Sequence, residues 1–177
     1  VSSFGEAAER CERAGFDGIE IHGAHGYLIC QFLGTRTNRR EDRWGGSLEG
    51  RSLFLREVIR EVRNRTSDRF LVCVRISPEH DVGVTLGESL ELSKMMLGWD
   101  VDMIHISCWD AFEGPKGNED PRTLTRIFRD ELGADASIIS TGSVWDASDA
   151  QFVIDEGADM VGVARVAIAH SEWASGL

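Results

Sequence analysis

The chain has 177 residues, enough for one domain with a real core and too few for two comfortable ones. Its 19 basic and 30 acidic side chains leave a formal charge of −11, which argues against nucleic acid or an anionic membrane surface as a general partner. No apolar run approaches the roughly 20 residues of a membrane span, and the first residues lack a basic-then-apolar leader, so a cytoplasmic protein is expected.

In chain order, residues 1–14 read as the later part of an amphipathic helix, with Phe4, Ala7, Ala8 and Cys11 on one side and Glu6, Glu9, Arg10 and Arg13 on the other. Gly15 ends it. Phe16, Ile19 and Ile21 then predict a short buried strand. His22, His25 and Tyr27 crowd its C-terminal end, where parallel sheets place their active sites. Two imidazoles and a phenol at this spacing can offer neighbouring donors to one ligand oxygen and a group that gives up a proton. A lone histidine here would read as a turn cap; three such groups after one strand favour a site. A zinc site built on His22 and His25 lacks a third and fourth ligand in sequence, so no metal is expected.

Residues 34–46 form a long polar excursion rich in Arg and Asn, and a loop of that length in a compact domain is functional or disordered. Ser47 caps a helix whose apolar stripe is Leu48, Phe54, Leu55, Val58, Ile59 and Val62. Residues 70–78 are a second strand, interrupted near its end by Arg75, a cation that needs either an ion pair or a polar ligand there; we favour the ligand. A helix over about residues 86–97, a strand over 103–107 and a helix starting at Pro121 follow. Residues 137–143 and 158–163 are two further strands, with Asp146 capping the helix between them and Gly157 closing it. Alternation at this spacing predicts an α/β fold of βα units on a parallel sheet, without a domain boundary across residues 1–177. Cys11, Cys30, Cys73 and Cys108 have no CxxC spacing and read as reduced packing thiols.

Thr141, Gly142 and Ser143 end the fourth strand and Ala164 and Arg165 end the fifth. Small residues let backbone N–H groups approach a phosphate, and an arginine can grip it bidentately. The loops after the last two strands of a (β/α) barrel are a frequent phosphate site.

Four stretches carry a family resemblance: His22-Gly-Ala-His-Gly-Tyr27, Thr37-Asn-Arg-Arg40 with Trp44-Gly-Gly-Ser-Leu-Glu49 and Arg51, Val74-Arg-Ile-Ser-Pro78, and Thr141-Gly142. Across nearly the whole chain the sequence resembles the old yellow enzyme or NADH:flavin oxidoreductase family, FMN-dependent (β/α)8 TIM barrels, and looks closest to the branch with bacterial enoate reductases and 2,4-dienoyl-CoA reductases. The resemblance implies that His22 and His25 hydrogen-bond the carbonyl or nitro oxygen of an activated alkene. Tyr27 would protonate the α carbon after hydride transfer from flavin N5, with NAD(P)H as the reductant. It further implies that Arg75 lies near flavin N1, and that Thr141, Gly142, Ser143, Ala164 and Arg165 hold the FMN phosphate. The family usually has glycine where Ser143 and Ala164 stand, so either side chain could crowd that phosphate.

A complete barrel needs about 250 residues, and the strands here match the fourth to eighth of the family. The chain is therefore expected to be a partial barrel that alone binds FMN weakly or not at all, unless self-association or a separate polypeptide supplies the N-terminal half. Two alternatives stay open at this point: a phosphate-binding barrel enzyme without flavin, and a catalytically inactive half-barrel that acts as an assembly module.

Overall fold

A computed structural model describes residues 1–117 and 120–175. Among these, the elements run α1 (Ser2–Arg13), β1 (Gly18–Gly23), α2 (Leu28–Leu33), α3 (Leu48–Arg65), β2 (Leu71–Ile76), α4 (Leu86–Leu97), β3 (Met103–Ser107), α5 (Leu124–Leu132), β4 (Ile138–Thr141), α6 (Ala147–Asp155), β5 (Met160–Gly162) and α7 (Arg165–Ala169). The strands follow one another in the sheet in chain order, β1-β2-β3-β4-β5, and β1/β2 and β4/β5 pair in parallel. This is the α/β architecture that the alternation predicts. The chain packs as two compact units, Val1–Ile104 and His105–Leu177.

In the first unit, α3 starts where Ser47 Oγ accepts the Gly50 N–H at 3.4 Å and buries Leu55, Val58, Ile59 and Val62, a stripe at helical spacing. Helix α4 starts the same way, with Thr85 as its cap, and buries Leu92 and Met96. Residues 34–46 are held down rather than loose. Asn38, 8% exposed, donates to Phe32 O and Trp44 O at 2.7 Å each and accepts from Arg40 N at 3.2 Å. The buried Arg51 pairs with Glu88 at 2.5 Å and donates to Gly46 O at 3.1 Å and to Leu33 O. Phe54 adds an apolar anchor, stacked on Phe32 with centroids 4.5 Å apart. Asn38 and Arg51, which carry part of the family resemblance, therefore work on the loop itself.

In the second unit, Thr123 and Asp146 cap α5 and α6 through the N–H groups of Arg126 and Asp149 at 3.1 and 3.0 Å. Ala111, Val144, Val153 and Ala158 form one buried cluster, with Val161, Val163 and Trp173 packed on it. The Thr125 and Ser140 hydroxyls bond each other at 2.8 Å beneath α5, so two buried polar groups satisfy one another.

The two units use the same device at the starts of their strands. In the first, Asp102 Oδ2 accepts from Val72 N at 2.6 Å and from Arg63 Nη2 at 2.7 Å. Arg63 also donates to Phe70 O and Asp100 O, and Asp102 N donates to Val72 O at 3.0 Å. In the second, Asp159 Oδ2 accepts from Ile138 N and from Arg129 Nη2, both at 2.7 Å. Arg129 also donates to the carbonyls of Gly133, Ala136 and Gly157, and Asp159 N donates to Ile138 O at 2.8 Å. One helix-borne arginine and one aspartate thus close the entry of each strand pair with charge-assisted bonds.

Two local expectations change, and one element is new. Phe16 is 63% exposed and precedes β1, because Gly15 at φ +89° ends α1 and β1 pairing begins only at Gly18. The short helix α2 follows Tyr27 directly, with Ile29, Cys30 and Leu33 inward. Helix α5 begins at Leu124 rather than Pro121, because the Thr123 hydroxyl supplies the cap. Among the described residues no helix is long and apolar enough to cross a membrane, and no cysteine forms a disulfide.

Candidate active site

Strand register places the first residues. His22 pairs with Arg75 and Glu20 with Cys73, and paired residues of parallel strands share a face of the sheet. The Cys73 thiol lies 3.6 Å from Glu20 Oε2, in keeping with that face. Ile19, Ile21, Val72 and Val74 take the other face, and all but the half-buried Ile19 are buried. Period-two alternation therefore sends apolar residues to one side of β1 and β2 and Glu20, His22, Cys73 and Arg75 to the other.

Past Gly23 the chain makes an unusual turn: His25 stands at φ +59° and Gly26 at φ +73°. The left-handed region costs a non-glycine residue about 1–2 kcal/mol, so the surroundings must hold it there. The His25 N–H donates to Ser77 Oγ at 2.9 Å, and Gln31 Nε2 donates to Gly26 O at 2.7 Å. A Cβ at Gly26 would stand 3.0 Å from His80 Cε1, a tight fit beneath that imidazole. The result is an aromatic trio, with His22 and His25 ring centroids 5.1 Å apart and His22 and Tyr27 5.5 Å apart. Tyr27 is 64% exposed and its N–H bonds Ala24 O at 3.2 Å as the chain enters α2. The structure thus brings His22, His25 and Tyr27 together beside the strand pair that carries Arg75.

In the second unit the Thr141 hydroxyl donates to Gly162 O at 2.6 Å, so this side chain ties β4 to β5 and leaves its backbone for other work. Gly142, at φ +147°, has no room for a Cβ: one would meet Cys108 O at 2.7 Å and Ala111 N at 2.9 Å. Ser143 follows at φ +56°, a position that suits glycine. Ala164 and Arg165 are exposed at the start of α7, and the Arg165 guanidinium lies 5.1 Å from the Trp145 ring centroid. Trp145 is braced in turn by Trp173 Nε1 on its carbonyl at 2.8 Å.

His105, Ser77 and Gln31 also belong to these surroundings, without being apparent as such along the chain. The buried His105 closes over Gly162, where an added Cβ would lie 3.0 Å from its Nε2. A polar residue on the alternating face of a strand was the available signal for His105. Ser77 sits one residue beyond β2, and nothing in the chain shows that it reaches His25. Burial pushes the Cys108 thiol up to about 12, and raises Cys30 too, so neither is a thiolate nucleophile near neutrality. Among the described residues no group of three or more His, Cys, Asp or Glu is placed to hold a metal ion.

Comparison with known proteins sets these residues in a lineage. A profile of the NADH:flavin oxidoreductase / NADH oxidase family matches residues 1–177. The probable NADH-dependent flavin oxidoreductase YqiG of Bacillus subtilis (strain 168) is 39% identical over 180 residues, spanning 98% of this chain and 48% of that protein. Morphinone reductase in complex with tetrahydroNAD superimposes with a TM-score of 0.77 at 30% identity, covering 98% of this chain and 47% of the reductase. A 2-naphthoyl-CoA reductase complex gives a TM-score of 0.84 at 27% identity, over 98% of this chain and 28% of that one. The chain therefore spans half or less of the length of these relatives.

Proposed function

The chain belongs to the NADH:flavin oxidoreductase / NADH oxidase family, the FMN-dependent old yellow enzyme type of barrel that uses NADH or NADPH as reductant, and from that premise we propose that its residues serve the reduction of activated alkenes. The observation that carries this reading is the trio of His22, His25 and Tyr27 at the end of β1, with the His25 and Tyr27 rings 5.1 and 5.5 Å from that of His22, and Arg75 paired to His22.

FMN, when bound, supplies the hydride chemistry that amino-acid side chains lack. The donor set in each unit fits that cofactor. A small-residue turn with a left-handed Ser143, followed one strand later by exposed Arg165, suits a phosphate. Arg75 supplies a cation on the His22 face of the strand pair, where negative charge on the cofactor would be stabilised.

The chain's own residues then have distinct work. His22 and His25 each donate a hydrogen bond to the carbonyl or nitro oxygen of the substrate, drawing electron density from its double bond. Tyr27 gives its phenolic proton to the carbon α to that group. The phenol is then reprotonated from solvent before the next turnover. The backbone of Thr141, Gly142 and Ser143, with Ala164 and Arg165, holds the phosphate. The full activity belongs to a complete barrel, since this chain spans half or less of the relatives' length. Reduced cysteines suit a cytoplasmic setting.

The test is a visible spectrum of the purified chain after incubation with FMN and removal of the excess, with its mass from light scattering. A retained flavin band in an assembly larger than the monomer supports the reading. A folded assembly that never retains flavin, even when the companion sequence of a relative is supplied, overturns it.

A further inference from the structure

We propose that Ser77 is a positioning residue that fixes His25 for the substrate's oxygen, an assignment resting on the reading of His22, His25 and Tyr27 as the alkene-binding trio. Ser77 is 5% exposed, lies just after β2, and accepts the His25 N–H on its hydroxyl at 2.9 Å across 52 residues of sequence. His25 is one of three non-glycine residues with positive φ among those described, and it belongs to the candidate machinery.

The two features are linked. His25 lies outside any helix or strand, and the buried Ser77 hydroxyl supplies the acceptor for its N–H. Ser77 meets it from a fixed place: its own carbonyl accepts the Ser89 hydroxyl at 3.3 Å, and Ser93 bonds Ser89 O at 2.8 Å within α4. The backbone that carries the imidazole is therefore referenced to α4 and not only to its own loop. Gln31 holds the next carbonyl from α2 and His80 covers Gly26, so the peptide after His25 is gripped on its other side. Ser77 does not need to touch substrate. Loss of its acceptor would let the His25–Gly26 pair relax toward ordinary dihedrals, swinging the imidazole away from the His22 ring now 5.1 Å distant.

The experiment uses the full chain, labelled with 15N. In the wild type, the His25 amide should exchange with deuterium at least tenfold more slowly than an unbonded exposed amide. Ser77→Ala should remove that protection and shift the His25 ring nitrogens while leaving those of His22 in place, and Ser77→Thr should restore both. A residue that merely fills space would move both rings or neither. Rapid exchange of the His25 amide in the wild type overturns the proposal without any variant, and so does an unmoved His25 ring in a folded Ser77→Ala. Cyclohex-2-enone, added to the FMN-loaded complete barrel, separates this from the functional reading. If the enone shifts both rings in the wild type and binds three- to tenfold more weakly to Ser77→Ala, the proposal stands. If it shifts neither ring although the amide is protected, the functional reading falls and Ser77 is an anchor without catalytic consequence.

Discussion

The two units of this chain are alike at the starts of their strands and unlike at the ends. At the starts, Arg63 with Asp102 and Arg129 with Asp159 make the same set of bonds to the N–H of a first strand residue and to nearby carbonyls. At the ends, the first unit presents side chains, His22, His25 and Tyr27, on a backbone gripped by Ser77 and Gln31. The second presents mainly backbone: a glycine with no room for a Cβ, a left-handed serine and a short helix whose arginine lies over Trp145. Repetition marks a shared way of fixing where two of the strand pairs begin. Divergence is confined to the ends, where one unit offers side chains and the other backbone.

That contrast can be broken at its strongest point by Arg63→Ala or Arg129→Ala. Each loses several charge-assisted bonds and should cost about 3 kcal/mol, read as a lower denaturation midpoint; a much smaller cost for either would end the equivalence of the two bases. Tyr27→Phe comes next, with a fall of about 100-fold in alkene reduction by the FMN-loaded complete barrel. Its denaturation midpoint should not change, since Tyr27 is largely exposed. Gly142→Ala should cost about 2 kcal/mol in stability through the clash with Cys108 O and Ala111 N, showing that the second site depends on absent side-chain atoms. Ser143→Gly should be the smallest change. Relief of the left-handed backbone and the added freedom of the unfolded chain nearly cancel, leaving stability within about 0.5 kcal/mol, and differential scanning calorimetry would resolve anything larger.

Much of this was legible in the chain because the signals are local. Helix α4 and strand β3 fall at the predicted residues, and the caps Ser47 and Asp146 act as their side chains suggest. The crowding of His22, His25 and Tyr27 after one strand appears as two rings gathered around that of His22. What could not be read is set by distance along the chain. Ser77 reaches His25 across 52 residues, and Arg51 reaches Glu88 across 37, so neither pairing has a sequence period. Phe16 misled because an apolar residue beside a strand looks like part of it, whereas pairing begins two residues later. The bond from the Thr141 hydroxyl to Gly162 O, across 21 residues, likewise has no sequence signal.

The arginine–aspartate closures carry a consequence for how such a fold can change. With register fixed where the strands begin, insertions or exchanges in the loops where they finish need not re-thread the sheet. A transplanted loop would inherit its frame from the base beneath it. New specificities can then be tried one βα junction at a time, each trial leaving its neighbours in place.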